Sequence, residues 1–385
     1  MIKVSDICVH NQDSTGSISA TVDVNGKLKT LYFETNFSLK MTSEIDISNT
    51  LLIGLLPLSF EKQCDIYIEG SIDEKLRKEI VNELFPVMQQ VYKISQLPQI
   101  SFLKNESVNS VSSAGVATGL SCGVDSFATI NQMRSELTHL TFFDAGSHGK
   151  GSYSQAALIR NHRYNNVKKA ADELQLPLLT VNTNLSDFTS AKFQDNHAFL
   201  QISCAHLLSG LINTYYYSSG QNDDYLSKHP LDFIYLNNFM VHHLSSYRLK
   251  VIASLTKWGR IERTKMVSVM KTAHMHLDVC VDTETAMQNG LINCSKCHKC
   301  MRTQLTLQLL NEYEEFDHVF DSKVFESERD KFIAYLILTK REDVLNAELF
   351  DLVKELDGIE FKVYYLLMHL KWAKLKKKIK RMLVA

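Results

Sequence analysis

The chain has 385 residues, with 42 basic side chains against 43 acidic ones and a formal net charge of −1. At roughly 100–200 residues per domain, this length suggests two or three domains. The charge balance excludes a globally basic nucleic-acid coat protein while leaving room for a local basic patch. With 5 Pro, 15 Gly and 45% hydrophobic residues, collagen-like and low-complexity classes are also excluded.

Residues 1–13 have no apolar signal-peptide core. The longest apolar run, around 51–58, falls well short of the ~18 residues of a membrane span. A cytoplasmic protein with no membrane partner is therefore expected. Thiols stay reduced in that compartment, so the 8 cysteines read as metal ligands, catalytic groups or core residues.

Residues 1–112 read as an N-terminal α+β accessory domain. Stretches 3–9, 17–24 and 28–33 suit short strands, and Asn25-Gly26 is a hairpin signal. A further strand is expected at 65–68. Ser71 and Asp73 precede an amphipathic stretch at 74–92, with Leu76, Ile80, Leu84 and Val87 on one helical face. Residues 105–113 read as a linker. This part holds no chemical constellation, so it reads as a scaffold or substrate-shaping domain.

From Gly115 the pattern alternates strand and helix. Strands are expected at 116–120, 140–143, 178–181, 214–217 and 248–253. Helices are expected at 127–134, 155–174, 197–212 and 263–271, the second with Leu158, Val167, Ala171 and Leu174 as core positions. Such alternation predicts an α/β fold with a doubly wound, mostly parallel sheet. Ligands of that architecture sit at the carboxyl ends of strands. This domain is drawn as 113–325. Residues 326–385 form a helical C-terminal region. From Lys371 they carry seven basic residues and no acid, so the rest of the chain has 35 basic against 43 acidic residues, about −8.

Two places carry chemistry. The first strand runs into Thr118-Gly119-Leu120-Ser121-Cys122-Gly123-Val124-Asp125-Ser126 and then a helix. A small-residue turn at a helix N-terminus gathers backbone N–H groups where the dipole favours an anion. Ser121 and Ser126 add hydroxyls, and Asp125 suits the Mg²⁺ that accompanies ATP. Neither a Walker loop nor a Rossmann fingerprint is present. Cys122 reads as a small tolerated residue, although a nearby helix N-terminus lowers a thiol pKa.

The second place is Cys294-Ser-Lys-Cys297-His-Lys-Cys300, with Cys280 upstream. Four thiolates make a closed tetrahedral Zn²⁺ site, with Cys280 a better fourth ligand than His298. An iron–sulfur cluster is less suited, because no Pro follows the third Cys. A closed site is structural, and the zinc-binding loop is drawn as 280–302.

The 121–126 segment resembles the SGGxDS pyrophosphate loop of the N-type ATP pyrophosphatases (the PP-loop family), with Cys122 where that family has glycine. Together with C-x2-C-x2-C and Arg302, it is similar to the 7-cyano-7-deazaguanine synthase family over roughly residues 115–310. The resemblance implies an adenine nucleotide alpha hydrolase-like fold and an ATP-dependent carbon–nitrogen ligase. A deazaguanine-like carboxylate, or an amide, would be adenylated with release of pyrophosphate and then attacked by ammonia or an amine. It also implies that Leu120, Ser121, Cys122, Gly123, Val124, Asp125 and Ser126 form the ATP loop, with Asp125 holding Mg²⁺. Arg263 and Lys265, in Glu262-Arg-Thr-Lys265, would neutralise phosphate or acyl-adenylate charge. Asp144 and Ser218, after the second and fourth strands, would meet nucleotide or substrate, as would Thr183-Asn184-Leu185. Residues 146–151 read as a lid, with His148 as a base.

Two other functions compete with this one. They are a tRNA-modifying enzyme of the thiolation type, and a non-catalytic zinc-stabilised subunit of a defence or modification complex. The basic tail suits an RNA or protein acceptor, or a second copy of the chain in a homodimer.

Overall fold

The computed structural model describes residues 1–106, 113–147, 153–226 and 233–384. They form two compact units, Met1–Ser121 with Met133–Lys257, and Cys122–Gln132 with Trp258–Ala385. The chain begins with β1 (Ile2–Asn11), β2 (Gly16–Val24), β3 (Lys27–Thr35), α1 (Glu44–Lys62), β4 (Ile66–Asp73), α2 (Glu74–Glu79), α3 (Phe85–Tyr92) and β5 (Ile100–Glu106). It continues through β6 (Gly115–Gly119), α4 (Val124–Met133), β7 (His139–Asp144), α5 (Tyr153–Leu174), β8 (Leu178–Thr183), α6 (Phe193–His206), β9 (Ile212–Ser218), α7 (Asp223–Leu226), α8 (Phe233–His242) and β10 (Lys250–Ser254). The rest is helical: α9 (Arg260–Ser268), α10 (Lys271–His276), α11 (Thr283–Gln288), α12 (His298–Leu309), α13 (Ser322–Thr339), α14 (Val344–Leu356) and α15 (Phe361–Val384).

The first unit is built on one ten-stranded sheet, in the order β10-β9-β6-β7-β8-β3-β2-β1-β4-β5. Six of its nine pairings are parallel, which gives the expected α/β class. Within β6–β10 the chain steps outward through β7 and β8, then returns to the other side of β6 for β9 and β10. The direction of winding therefore reverses between β6 and β9. At such a switch point a crevice opens beyond the carboxyl ends of the two strands. Neighbouring residues of β7 show helices on both faces. Phe142 packs on Tyr164 of α5, while Phe143 stacks on Tyr215, whose strand-mate Tyr217 stacks on His197 of α6.

Strands β1–β3 form the expected meander. Asn25 (φ 53) and Gly26 (φ 86) turn β2 into β3 with positive φ at both positions. The antiparallel pairing Phe33↔Thr183, Glu34↔Asn182, Thr35↔Val181 then joins β3 to β8. Asn184, expected to face a substrate, serves this seam instead, accepting from Tyr32 N (3.0 Å) and donating to Thr30 O (2.9 Å). One apolar core runs from Ile2 to Ala253. The sequence boundary at 112/113 thus marks a change of composition inside one sheet, and residues 107–112 of the expected linker lie outside the described residues.

No periodic signal marks α1 among the residues of the chain. It starts at a capping box, where Ser43 Oγ accepts from Asp46 N and Asp46 accepts from Ser43 N (3.0 Å). Every residue from Ile45 to Phe60 is buried, and a helix buried on every side has no solvent-facing polar stripe to reveal its period. Gly54 allows close packing, since a Cβ there would collide with Leu185 and Ser203.

The amphipathic stretch at 74–92 is helical, but its middle, Ile80–Leu84, is a π turn. The buried positions are Leu76, Ile80, Leu84, Phe85 and Met88, while Val87 is half-buried. A spacing of four overshoots a 3.6-residue turn, and one wide turn absorbs the excess. In α5, Val167 and Ala171 are buried as expected, but Leu158 is 59% exposed. That side chain lies off the stripe the helix turns inward.

In the second unit, α12–α15 share a core of Met301, Leu305, Phe325, Ile333, Leu336, Leu349, Val353, Val363 and Leu367. The expected division at 325/326 runs through α13, inside this core. No helix among the described residues is long and apolar enough to cross a membrane.

Candidate functional site

In the first unit, the switch point brings together residues at the carboxyl ends of β6 and β9. Thr118 Oγ1 donates to Tyr216 O (2.8 Å) and lies 3.5 Å from Ser218 Oγ. The Leu120 N–H is committed to Thr141 O (2.8 Å), so that amide extends the sheet and cannot serve a phosphate. Ser121 is exposed. Asp144, ending β7, pairs with Arg160 (3.3 Å). Its burial raises the carboxyl pKa against the pull of that guanidinium. Residues 148–151 of the expected lid, His148 among them, lie outside the described residues.

The sequence reading missed a neighbouring group. His197, in the first turns of α6, meets Tyr217 OH through Nδ1 (2.7 Å) and Asn237 through Nε2 (3.1 Å). Asn238 holds the loop after β9 by accepting from Ser219 Oγ and donating to Asp223 (2.9 Å). The adjacent Asn237-Asn238, polar inside an otherwise apolar helix, was the available signal.

The loop continues into the second unit at Cys122. This residue is fully buried at φ +58, in the left-handed region that favours glycine. Its carbonyl accepts from Asp278 N (2.8 Å). Burial pushes the thiol pKa well up, with the Asp278 charge adding to it. The lowering expected from the helix N-terminus is overruled, and the thiol is protonated at neutral pH. The Gly123 carbonyl accepts from Phe127 N (3.0 Å) and from Ser126 Oγ (3.0 Å), which starts α4. The Ser126 hydroxyl is thus turned onto its own loop backbone. Val124 is buried beneath the turn.

Asp125 was expected to stand exposed as a metal ligand. Its carboxylate instead accepts from Arg263 Nη1 (2.9 Å) and Arg260 Nη2 (3.1 Å), and its side chain is 25% exposed. Burial alone would raise its pKa. Arg260 and Arg263, with the field of Lys299, outweigh burial and hold it below the ordinary carboxylate value. Arg263 is 1% exposed and also donates through Nε to Trp258 O (3.0 Å).

Helix α9, which carries both arginines, is fixed at its N-terminus by Glu348. That carboxylate accepts from Arg260 N (3.1 Å) and Ile261 N (3.0 Å). A Cβ on Gly259 would strike it. Lys265 lies exposed on the same helix and makes no contact with Asp125. The spacing Arg260-x-x-Arg263, one helical turn, was the signal for the second arginine.

Two buried guanidinium nitrogens in this unit, Arg260 Nε and Arg302 Nε, have no hydrogen-bond partner among the described residues. Arg302 Nη2 donates to Asp343 (2.8 Å) and Asn346 (2.7 Å). Burial lowers its pKa, Asp343 opposes that, and Arg260 adds to it. Two cations that feel each other's field, each with a donor left over, are the kind of group that an anion would satisfy. A carboxylate has about four lone-pair sites. Two guanidinium donors leave lone pairs on Asp125 uncommitted.

The four cysteines meet as expected. The sulfurs of Cys280, Cys294, Cys297 and Cys300 lie within 4.8 Å of one another. Cys297 and Cys300 are 3.3 Å apart, and Cys294 and Cys300 are 3.9 Å apart. A tetrahedron with metal–sulfur bonds of about 2.3 Å spaces its sulfurs about 3.8 Å apart, so the group could hold a metal such as zinc. His298 is exposed and outside the group.

Backbone amides point at the sulfurs: Asp282 N and Cys294 N at Cys280 Sγ (3.2 and 3.4 Å), and Cys297 N at Cys294 Sγ (3.3 Å). Such donors stabilise thiolates. Hydrogen bonds from Cys280 and Cys300 hold Cys297 well below the ordinary thiol range, and those from Cys300 bring Cys294 to about 6. Buried Asn293 clamps the arms together, donating to Leu277 O (2.7 Å) and Val319 O (3.1 Å) and accepting from Val279 N (2.9 Å). Ser295 turns the knuckle at φ +60, and Gln304 donates to its carbonyl (2.9 Å).

No family model, no curated protein and no solved structure matches the chain.

Proposed function

We propose that the protein is an ATP-dependent ligase of the deazaguanine-synthase-like type, with a PP-loop nucleotide site at residues 120–126 and a structural zinc in its cysteine knuckle. The observation that carries this reading is the paired-arginine cluster against the first turn of α4. Arg260, Arg263 and Lys299 converge electrostatically on Asp125, within the loop, and buried Arg260 Nε and Arg302 Nε lack acceptors among the described residues. Preorganised cations of this kind stabilise a pyrophosphate leaving group without a covalent enzyme intermediate. Within the first unit, the reversal of winding between β6 and β9 is where an α/β sheet of this kind opens a ligand crevice, and Leu120 and Ser121 follow β6 there.

In this reaction a substrate carboxylate oxygen attacks the α-phosphorus, the bond to the β-phosphate breaks, and pyrophosphate leaves. Ammonia or an amine then attacks the acyl carbon, AMP leaves, and the nitrogen loses a proton to give an amide. In a second round the amide oxygen would attack the α-phosphorus with release of pyrophosphate, and the nitrogen would lose its two protons as the oxygen leaves with AMP, giving a nitrile. Asp125 keeps Arg263 and Arg260 extended toward the loop, and Gly123 and Ser126 shape the helix start. Mg²⁺, held by Asp125, would screen the phosphate charge. Zinc would pin the arms of the knuckle and, through Asp278 N on Cys122 O, the loop itself.

Cys122 is buried and protonated, and Cys280, Cys294, Cys297 and Cys300 are grouped as a metal site needs them, so neither the loop nor the knuckle offers the free thiolate that a thiolation reading would use. The test is incubation with ATP, Mg²⁺, ammonia and a deazaguanine carboxylate. Substrate-dependent AMP and pyrophosphate are expected. ADP and orthophosphate, or no turnover with any carboxylate or RNA, would reject the proposal.

A further inference from the structure

Helix α15 carries two apolar stripes on opposite sides. Val363 and Leu367 are buried, and Leu366 and Leu370 pack half-buried against the core of the second unit. The other side shows Phe361 (87% exposed), Tyr365 (54%), Met368 (59%) and Trp372 (65%). These positions are separated by four, three and four residues. The sequence continues that alternation without a break through Leu375, Ile379 and Met382, the backbone remaining helical to Val384. An apolar repeat of 3.5 residues sustained over about three heptads is the seam of a coiled coil, since each residue on it becomes a knob for a facing helix. A helix that only had to dock on its own body would need the first stripe alone.

The flanks of the seam decide what can face it. In the heptad register of the sequence, positions 371, 376 and 378, all lysine, fall on its flanks, and every charged residue from 371 to 381 is basic. Two copies of this helix, parallel or antiparallel, would set lysine against lysine along the seam, which disfavours a self-pair. The seam is also narrow, about two residues in seven, whereas a helix lying in a membrane interface offers a broad apolar face. We infer that the outer face of α15 is a coiled-coil docking surface for an acidic amphipathic helix of a different protein, with apolar residues at heptad spacing and Glu or Asp on both flanks. Apolar knobs supply the affinity, and the lysines choose the partner and its register.

A labelled synthetic peptide of about four heptads, Ile and Leu on the seam and Glu on the flanks, tests this against the full-length protein by fluorescence anisotropy. The same peptide with Lys flanks is the control. The Glu peptide should bind one per chain, more weakly as salt shortens the Debye length below about 10 Å, and the Lys peptide should not bind. Met368→Glu and Trp372→Glu should each weaken binding by at least about tenfold, and Trp372→Leu should retain it. Met368 is exposed, so the melting temperature and zinc content of Met368→Glu should not move. Failure of the Glu peptide to bind, equal binding of both peptides, sedimentation of the protein alone as a dimer lost in Met368→Glu, or displacement of the peptide by anionic phospholipid vesicles or by RNA would each overturn the inference.

Discussion

Cys122 and Cys297 lie in the same unit and both stand at the start of a helix. Cys122 comes two residues before α4, and Cys297 is the N-cap of α12. The helix dipole treats the two thiols alike, yet their states are opposite. Cys122 is buried beside the Asp278 charge and held protonated, while Cys297 is held as a thiolate by the thiols of Cys280 and Cys300. What a cysteine can do is therefore set by its donors and its burial. The contrast extends to the backbone. Cys122 itself stands at φ +58 with its thiol buried, whereas the knuckle places its left-handed backbone at Ser295, between two of the four sulfurs.

The largest effect that would break this comparison lies in the knuckle. Cys300→Ser removes a buried ligand. Metal binding contributes on the order of 10 kcal/mol to folding in small zinc sites. Zinc content by elemental analysis should fall from about one per chain to near zero, and the melting temperature should drop by more than about 10 °C. A wild-type protein that is metal-free and equally stable would remove the knuckle from the account.

The second effect lies beside the loop. Asp125→Ala strands Arg263, a 1%-exposed guanidinium, and should cost about 3 kcal/mol by urea denaturation. The double variant Asp125→Ala with Arg263→Met should regain part of that cost, because the uncompensated charge is gone. Additive losses would show that the pair is not energetically coupled.

A third, smaller effect separates Asp125 from Asp144 by sign. The Asp125 pKa is lowered on folding, so its contribution is present above the ordinary value and is lost as pH falls through the folded one. The Asp144 pKa is raised, so its contribution is present below the ordinary value and is lost as pH rises through the folded one. In urea midpoints followed from pH 7 to 3, Asp125→Asn should lose part of the acid sensitivity of the wild type. Asp144→Asn should gain on the wild type as pH rises. The same slope for both variants would contradict this assignment.

The smallest effect concerns Cys122 itself. Glycine there relieves a left-handed conformation worth about 1 kcal/mol and gives up a small buried side chain of similar worth. Cys122→Gly should therefore shift the melting temperature by less than about 3 °C and leave turnover intact. Cys122→Val, β-branched at positive φ, should be clearly destabilising. Loss of turnover in the glycine variant would make the thiol a chemical group after all.

Much of this was legible in the residues. The strands from 115 onward could be read because apolar runs alternate with helical periods. The knuckle could be read because four thiols in a short span have few other uses. Asn25-Gly26 announced its turn for the steric reason that requires glycine there. Helix α1 could not be read, since a segment buried on every side has no period. The pairing of Asp125 with Arg260 and Arg263 was hidden as well, because partners 135 and 138 residues apart leave no local pattern. The burial that protonates Cys122 comes from the same distant packing. Val87 was displaced by Met88 because a single π turn shifts the register of everything after it.

The seam between β3 and β8 has a consequence for how the protein is made. Its three residue pairs join segments about 150 positions apart. On a ribosome adding roughly 5–20 residues per second, the β1–β3 meander is complete roughly 10–30 s before β8 exists. For that interval β3 presents an open edge, a template for any passing strand. Its outer rim is blunted by Lys29, Thr30, Glu34 and Asn36, polar groups that discourage a foreign apolar strand. Three of these later find specific acceptors or donors: Lys29 at Asp187 O, Glu34 at Asn182 and Asn36 at Leu178 O and Thr180 N. The side chains that close the finished sheet are the same ones that guard it while the chain is still being synthesised.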